Sequence, residues 1–210
     1  MRKRLGIFGG AFDPIHRGHV RPVQEARRRF GLDRVIYLPT ANPPHKQAPE
    51  NAPRAPAAAR YAMVEMALLE EEGLYVSDYE LRPDRPSYTV ETLEHFAAAE
   101  PAVELVLLVG SDALAQLHTW RRWRDLLELA HLVVLTRPGN EIAGLRPDLV
   151  PELRERLDRG EIDVIEDVLV DVSSTGIRGR LAGGEKDEAW MDRWMPPLVV
   201  HYIEKYAFYR

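Results

Sequence analysis

Short apolar runs alternate with helical stretches along most of the chain, and this alternation restricts the fold more than any other feature. LGIF (5–8) precedes a helical pattern over 18–30, VIYL (35–38) one over 57–72, and LYVSDYEL (74–81) one over 88–99. VELVLLV (103–109) then leads into 111–130, and HLVVL (131–135) closes the series. Several of these runs carry no polar alternation, which is how strands covered on both faces by helices read. Strand, helix, strand in repetition predicts an α/β fold with a doubly wound, mostly parallel, Rossmann-like sheet and helices on both faces. Its connections would be right-handed crossovers.

Beyond this series, residues 137–160 read as loop and amphipathic helix. IDVIEDVLVDV (162–172) predicts a further strand, and PPLVVHYIEKY (196–206) a closing helix with Pro197 in its first turn. With no internal repeat or low-complexity tract, 210 residues at 45% hydrophobic suffice for a single domain over 1–210, in which 173–210 forms a small C-terminal helical part. The segment 41–57, ANPPHKQAPENAPRAPA, is too proline-rich for a helix or a central strand and predicts a long, mobile surface loop.

Charge and composition exclude several classes. A net charge of −5 at pH 7 argues against neutralising a nucleic-acid backbone, and the cluster Arg27, Arg28, Arg29 reads as a solvated helix face. No run approaches the roughly 18–20 apolar residues of a membrane span. The start, MRKRLGIFGG, leads into a strand rather than a signal peptide. Cysteine is absent from the sequence, which excludes disulfides and cysteine-ligated metals. A cytoplasmic enzyme, binding neither nucleic acid nor membrane, fits this composition. A homo-oligomer is compatible with it, and the sequence leaves that point open.

The chemistry concentrates in GGAFDPIHRGH (9–19). In a doubly wound fold the turn after the first strand is where backbone approaches a phosphate, and Gly9 and Gly10 would expose N–H groups there. Neither GxGxxG nor GxxxxGK[ST] is present, so neither a dinucleotide-binding dehydrogenase nor a P-loop ATPase is indicated. His16 and His19 fall where the next helix should begin, beside N–H groups and a dipole that favour an anion. Either histidine alone reads as a cap or a packing residue. The pair, with Asp13-Pro14 and two glycines in one turn, points to a phosphate site.

These residues resemble the signature of the nucleotidylyltransferase superfamily, HRGH (16–19) matching its HxGH element and SSTGIR (173–178) its SSTxIR element. NPPHK (42–46), PSYTVETL (86–93), GSDAL (110–114), HTWRRW (118–123) and RPG (137–139) resemble, within it, the bacterial nicotinate mononucleotide adenylyltransferases. That resemblance runs from Gly9 to about Tyr202. It implies transfer of the adenylyl group of ATP to nicotinate mononucleotide in NAD biosynthesis, with pyrophosphate released.

The resemblance also implies roles. Gly9, Gly10, Phe12, His16, His19, Gly110, Asp112, Ser174, Thr175 and Arg178 would form the ATP side, with His16, His19 and Arg178 acting on phosphate charge. His45, Lys46, Tyr88, Thr89 and Trp120 would serve the second substrate, Trp120 stacking on its ring while Trp123 belongs to the core. Glu80, Asp84 and Arg85 are expected at the surface. ATP chemistry implies Mg2+ held by substrate phosphates, with no dedicated metal site. Nicotinamide mononucleotide or phosphopantetheine stand as alternative acceptors, and a catalytically silent nucleotide-binding protein as a different class. His16, His19 and Arg178 together speak against the last.

Overall fold

The computed structural model describes residues 2–41, 52–81, 87–136, 142–168, 170–184 and 187–210. Strands β1 (Arg4–Gly10), β2 (Arg34–Pro39), β3 (Leu74–Val76), β4 (Glu104–Gly110), β5 (His131–Leu135) and β6 (Ile162–Ile165) form one sheet in the order β3-β2-β1-β4-β5-β6. Every pairing is parallel. The chain winds outward from β1 to β3, returns to place β4 beside β1, and winds outward again. Strand order therefore reverses between β1 and β4, the place where open α/β sheets bind ligands beyond the carboxyl ends of their strands.

Ten helices surround the sheet among the described residues: α1 (Arg17–Arg29), α2 (Ala57–Leu68), α3 (Thr89–Ala99), α4 (Ser111–Gln116), α5 (Trp123–Leu129), α6 (Ile142–Leu145), α7 (Pro151–Asp158), α8 (Ser174–Ala182), α9 (Glu188–Trp194) and α10 (Pro197–Tyr206). No helix among the described residues is long and apolar enough to cross a membrane. The strands are apolar on both faces because each face has its own core. Phe8, Val106, Leu108, Val133 and Leu135 face one cluster together with residues of α1, α2 and α10. Their neighbours Ile7, Leu105, Leu107, Leu132 and Val134 face the other, with residues of α3, α4, α5 and α7. The period of two along each strand sends successive side chains to opposite cores.

The doubly wound sheet expected from the sequence is the one observed, with three elements shorter than expected. The strand in 74–81 ends at Val76, and the chain turns at once, the Leu81 N–H donating to the Asp78 carbonyl. The strand in 162–172 ends at Ile165. The long helix over 111–130 is broken into α4, a 3-10 turn at Leu117–Thr119 and α5. There the Thr119 hydroxyl donates to the Gln116 carbonyl at 2.7 Å, Trp120 is extended, and Arg122 is left-handed at φ 52. Side-chain hydroxyls that bond nearby carbonyls compete with the helical ladder. The break matters because it takes Trp120 off any helix.

Gly6, in the middle of β1, shows how tightly the sheet and its first crossover are packed. A Cβ there would lie 2.8 Å from Val35 Cγ2 and 3.0 Å from Leu32 Cδ1, both on buried residues. Gly6→Ala should therefore lower stability by about 1–3 kcal/mol through overpacking, as read from the urea midpoint at unchanged m-value.

Candidate active site

The turn joining β1 to α1 forms the floor of the site. A Cβ at Gly9, or at Gly110 where β4 ends, would meet nothing within 4 Å. The protein's own packing does not require glycine at either place, yet both line the open cleft. A missing Cβ facing open space is a place where a ligand can lie against backbone. Gly10 differs, since its Cβ would fall 2.9 Å from the Phe12 ring. Phe12 itself stands at φ 47, and its ring is locked against Phe8, Tyr37 and, edge-on at 5.2 Å, His19.

The two histidines have divided tasks. His16 is the N-cap of α1 and fully buried: the Gly18 N–H donates to its Nδ1 at 3.1 Å, and its own N–H donates to His19 Nδ1 at 3.3 Å. The pair thus forms a capping box built from imidazoles instead of hydroxyl and carboxylate. Because Nδ1 accepts in both rings, the neutral form of each carries its proton on Nε2. His19 lines the cleft, whereas His16 lies behind it with the ring centroids 3.8 Å apart. Gly18 between them is a packing requirement, for a Cβ would sit 2.9 Å from His16 Nδ1 and 3.0 Å from Val172 Cγ1.

The opposite wall is the start of α8. Ser173 caps it, its Oγ accepting from the Gly176 N–H at 3.1 Å. The Ser174 hydroxyl donates to the Pro14 carbonyl at 2.9 Å, which pins α8 to the first turn. Arg178 donates from Nη1 to the Asp13 carbonyl at 2.7 Å and from Nη2 to Thr175 Oγ1 at 3.1 Å. Its Nε is buried with no hydrogen-bond partner among the described residues. Ser174, Thr175, Arg178, Asp112 and His19 all line one cleft of about 480 Å3.

A second cavity of about 260 Å3 adjoins the first, and Gly9, Gly10, Ala11, Gly110, Ala113 and Trp120 line both. It is more apolar, with Tyr88, Thr89 and Trp120 on its walls and Arg121 at its mouth, where the guanidinium lies 4.6 Å over the Tyr88 ring and pairs with Glu91 at 3.3 Å. Trp123 is half-buried against the core, as expected, and carries the Arg124 guanidinium on its face. His45 and Lys46, like Asp84 and Arg85, lie outside the described residues, as does most of the loop 41–57.

Glu80 corrects the sequence reading. It is buried rather than superficial, lines the second cavity, and accepts from the Thr92 hydroxyl at 2.7 Å and the Thr40 hydroxyl at 3.0 Å. Burial pushes its carboxyl above the usual range, and the two hydroxyls pull it partly back. Two further residues escaped sequence reasoning. Asp13 is buried, and its carboxylate accepts from the N–H groups of Arg54 and Ala55. Arg60, also buried, donates to the carbonyls of Ala11, Thr40 and Ala55. The DP of GGAFDP was the only sequence signal for the first; nothing marked the second.

Among the described residues no group of three or more His, Asp or Glu side chains converges on a site fit to hold a metal. Asp13 is committed to the protein, which leaves Asp112 as the carboxylate on the wall of the larger cleft.

A parallel sheet with a cleft at the β1/β4 reversal and a histidine-capped first turn is the architecture of a nucleotidyltransferase, and the cytidylyltransferase-like family model matches residues 7–180. A protein of Aeromonas hydrophila described as a "probable nicotinate-nucleotide adenylyltransferase" is 38% identical, over 100% of this chain and 99% of its own. One of Neisseria meningitidis with the same description is 36% identical over 99% and 98%. The chain belongs to the nicotinate-nucleotide adenylyltransferase family. In fold it is similar to the nicotinic acid mononucleotide adenylyltransferase of Plasmodium falciparum complexed with NaAD, at a TM-score of 0.76 and 18% identity over 99% of this chain and 97% of that one.

The raised Glu80 carboxyl has a consequence for stability. A carboxyl raised in the folded state contributes stability that is fully present below the ordinary carboxylate range and is lost as pH rises through its folded value. Glu80→Gln should therefore unfold with a flatter pH dependence from the mildly acidic range to neutrality, measured as urea midpoints across pH 4–8.

Proposed function

We propose that this protein transfers the adenylyl group of ATP to nicotinate mononucleotide, forming the deamido dinucleotide and pyrophosphate in NAD biosynthesis. The observation that carries this is the pair of adjoining cavities sharing one glycine wall: the larger and more polar one would take a triphosphate, and the more apolar, aromatic one a pyridine ring. The shared wall, Gly9–Gly10 and Gly110, is where the two substrates would meet.

The chemistry asks little of proton transfer. The 5′-phosphate of the acceptor, already ionised near neutrality, attacks the α-phosphorus of ATP. A P–O bond forms to it while the bond bridging the α- and β-phosphates breaks and pyrophosphate leaves. Such a displacement is accelerated by alignment and by stabilising charge on the transferred group. His19 would offer its Nε2–H to an α-phosphate oxygen, its tautomer set by the bond from the His16 N–H. His16 would act chiefly by holding His19 and the start of α1. Ser174, Thr175 and the free N–H groups opening α8 would receive the β- and γ-phosphates, and the Nε edge of Arg178 would clamp them. Asp112, beyond Gly110, would take ribose hydroxyls.

The family generally uses a divalent metal. Here Mg2+ would arrive with the triphosphate, since the described residues offer no cluster to hold it alone. On the acceptor side Trp120 would stack on the pyridine ring, with Thr89 and the amides near Tyr88 facing its carboxylate. His45 and Lys46 would add positive charge from the segment 41–57.

The direct test is pyrophosphate release from Mg-ATP with nicotinate mononucleotide, nicotinamide mononucleotide and phosphopantetheine offered in parallel. The first should be strongly preferred, and equal rates with the amide would remove the carboxylate subsite. His19→Ala should lower kcat roughly 100- to 1,000-fold with little change in melting temperature, as for loss of one donor to transition-state charge. Trp120→Ala should raise the KM for nicotinate mononucleotide about tenfold, the loss of one stacked ring, while leaving the KM for ATP nearly unchanged.

A further inference from the structure

Asp13 is 3% exposed, and both its carboxylate oxygens are engaged. Oδ1 accepts from the Ala55 N–H at 3.0 Å and from the Tyr209 hydroxyl at 2.7 Å, and Oδ2 from the Arg54 N–H at 2.8 Å. Its backbone carbonyl takes the 2.7 Å bond from Arg178 Nη1, which also lies 3.7 Å from Oδ2. One residue thus joins three parts of the chain: the segment beside Ala52 and Pro53 on the cleft wall, the arginine of α8, and a tyrosine that follows α10.

Tyr209 does not reach this place by default. The chain leaves α10 through Ala207 at φ 58, and Tyr209 itself stands at φ 66, a left-handed conformation unfavourable for a residue with a Cβ. Two such residues in three positions persist only where surrounding contacts determine them. The buried hydroxyl on a buried carboxylate is one such contact, and hydrogen bonds to a charged acceptor are stronger than neutral ones. Nothing about catalysis requires a tyrosine so far from the cleft, yet its hydroxyl ends on the turn that carries the site.

We propose that Tyr209 is a positioning residue for the triphosphate: its hydrogen bond fixes Asp13, whose carbonyl aims Arg178 into the cleft and whose carboxylate holds 54–55 against the cleft wall. This rests on the adenylyl-transfer reading in taking the larger cleft as the ATP site. The strut touches only that side, because neither Tyr209 nor Asp13 lines the apolar cavity. A loss of the hydroxyl should therefore act on one substrate and not on both.

The experiment is Tyr209→Phe, which removes one oxygen and keeps the ring, with Tyr206→Phe, an exposed tyrosine of α10, as control. Mg-ATP affinity is measured by calorimetry without acceptor, and KM is then measured for each substrate. Tyr209→Phe should weaken ATP about fivefold in both measurements, leave the acceptor KM within twofold and shift the melting temperature little, while Tyr206→Phe changes nothing. Unchanged ATP affinity in Tyr209→Phe, or equal losses for both substrates with a lowered melting temperature, would overturn the positioning role. Wild-type protein that binds no ATP would overturn the adenylyl-transfer reading along with it.

Discussion

A turn that bares its backbone to an open cleft must still be rigid, and the turn after β1 meets these opposed demands through one buried cation. Arg60, 1% exposed, donates to the carbonyls of Ala11 at 2.5 Å, Thr40 at 2.8 Å and Ala55 at 3.1 Å. These three carbonyls belong to the turn after β1, the end of β2 and the approach to α2, so one side chain fixes the relative height of everything beneath the cleft. Burial pulls this guanidinium below its usual range while nearby Asp13 opposes the shift. Taking a charge out of water is costly unless its donors are matched. The three carbonyls match them, and the glycines above are then free to stay bare.

The same economy of roles runs through the histidine pair. A capping box ordinarily spends a hydroxyl and a carboxylate on the orphan N–H groups of a helix start. Imidazoles perform that task through Nδ1 while His19 also lines the cleft, so on the proposed reading one ring would serve both the helix start and a phosphate. A carboxylate at either position would cap as well but would repel a triphosphate. Gly18 follows from this arrangement, since the His16 ring occupies the space a Cβ would need.

The sheet was legible because its strands are buried twice over: consecutive apolar residues through the middle of β1, β4 and β5 call for cover on both faces. That residues of the first turn and of the SST run would line one cleft was legible because paired glycines, two histidines three apart and a Ser/Thr run mark strand-to-helix junctions. Legibility failed where distant contacts decide. Glu80 and Arg60 look like surface residues because charge is usually exposed, and only Thr40, Thr92 and the converging carbonyls, brought together by the sheet, reverse that. The broken helix at 117–122 was hidden for a similar reason. Its propensities suit a helix, and a threonine hydroxyl and a left-handed arginine overrule them.

The acceptor cavity raises a problem of charge that its geometry resolves. On the proposed reading, nicotinate mononucleotide would bring a ring carboxylate into a small apolar space that already holds the carboxyl of Glu80. Burial disfavours the charged form of Glu80, and the two threonine hydroxyls that bond it engage both its oxygens. The side of the cavity at α3 offers the start of a helix instead, with Thr89 in its first turn and Arg121 over the Tyr88 ring. On the proposed reading, an acid group of the acceptor would lie by Thr89 and Arg121 rather than against Glu80, with its ring beside Trp120 and its 5′-phosphate toward Gly9, where the two cavities adjoin.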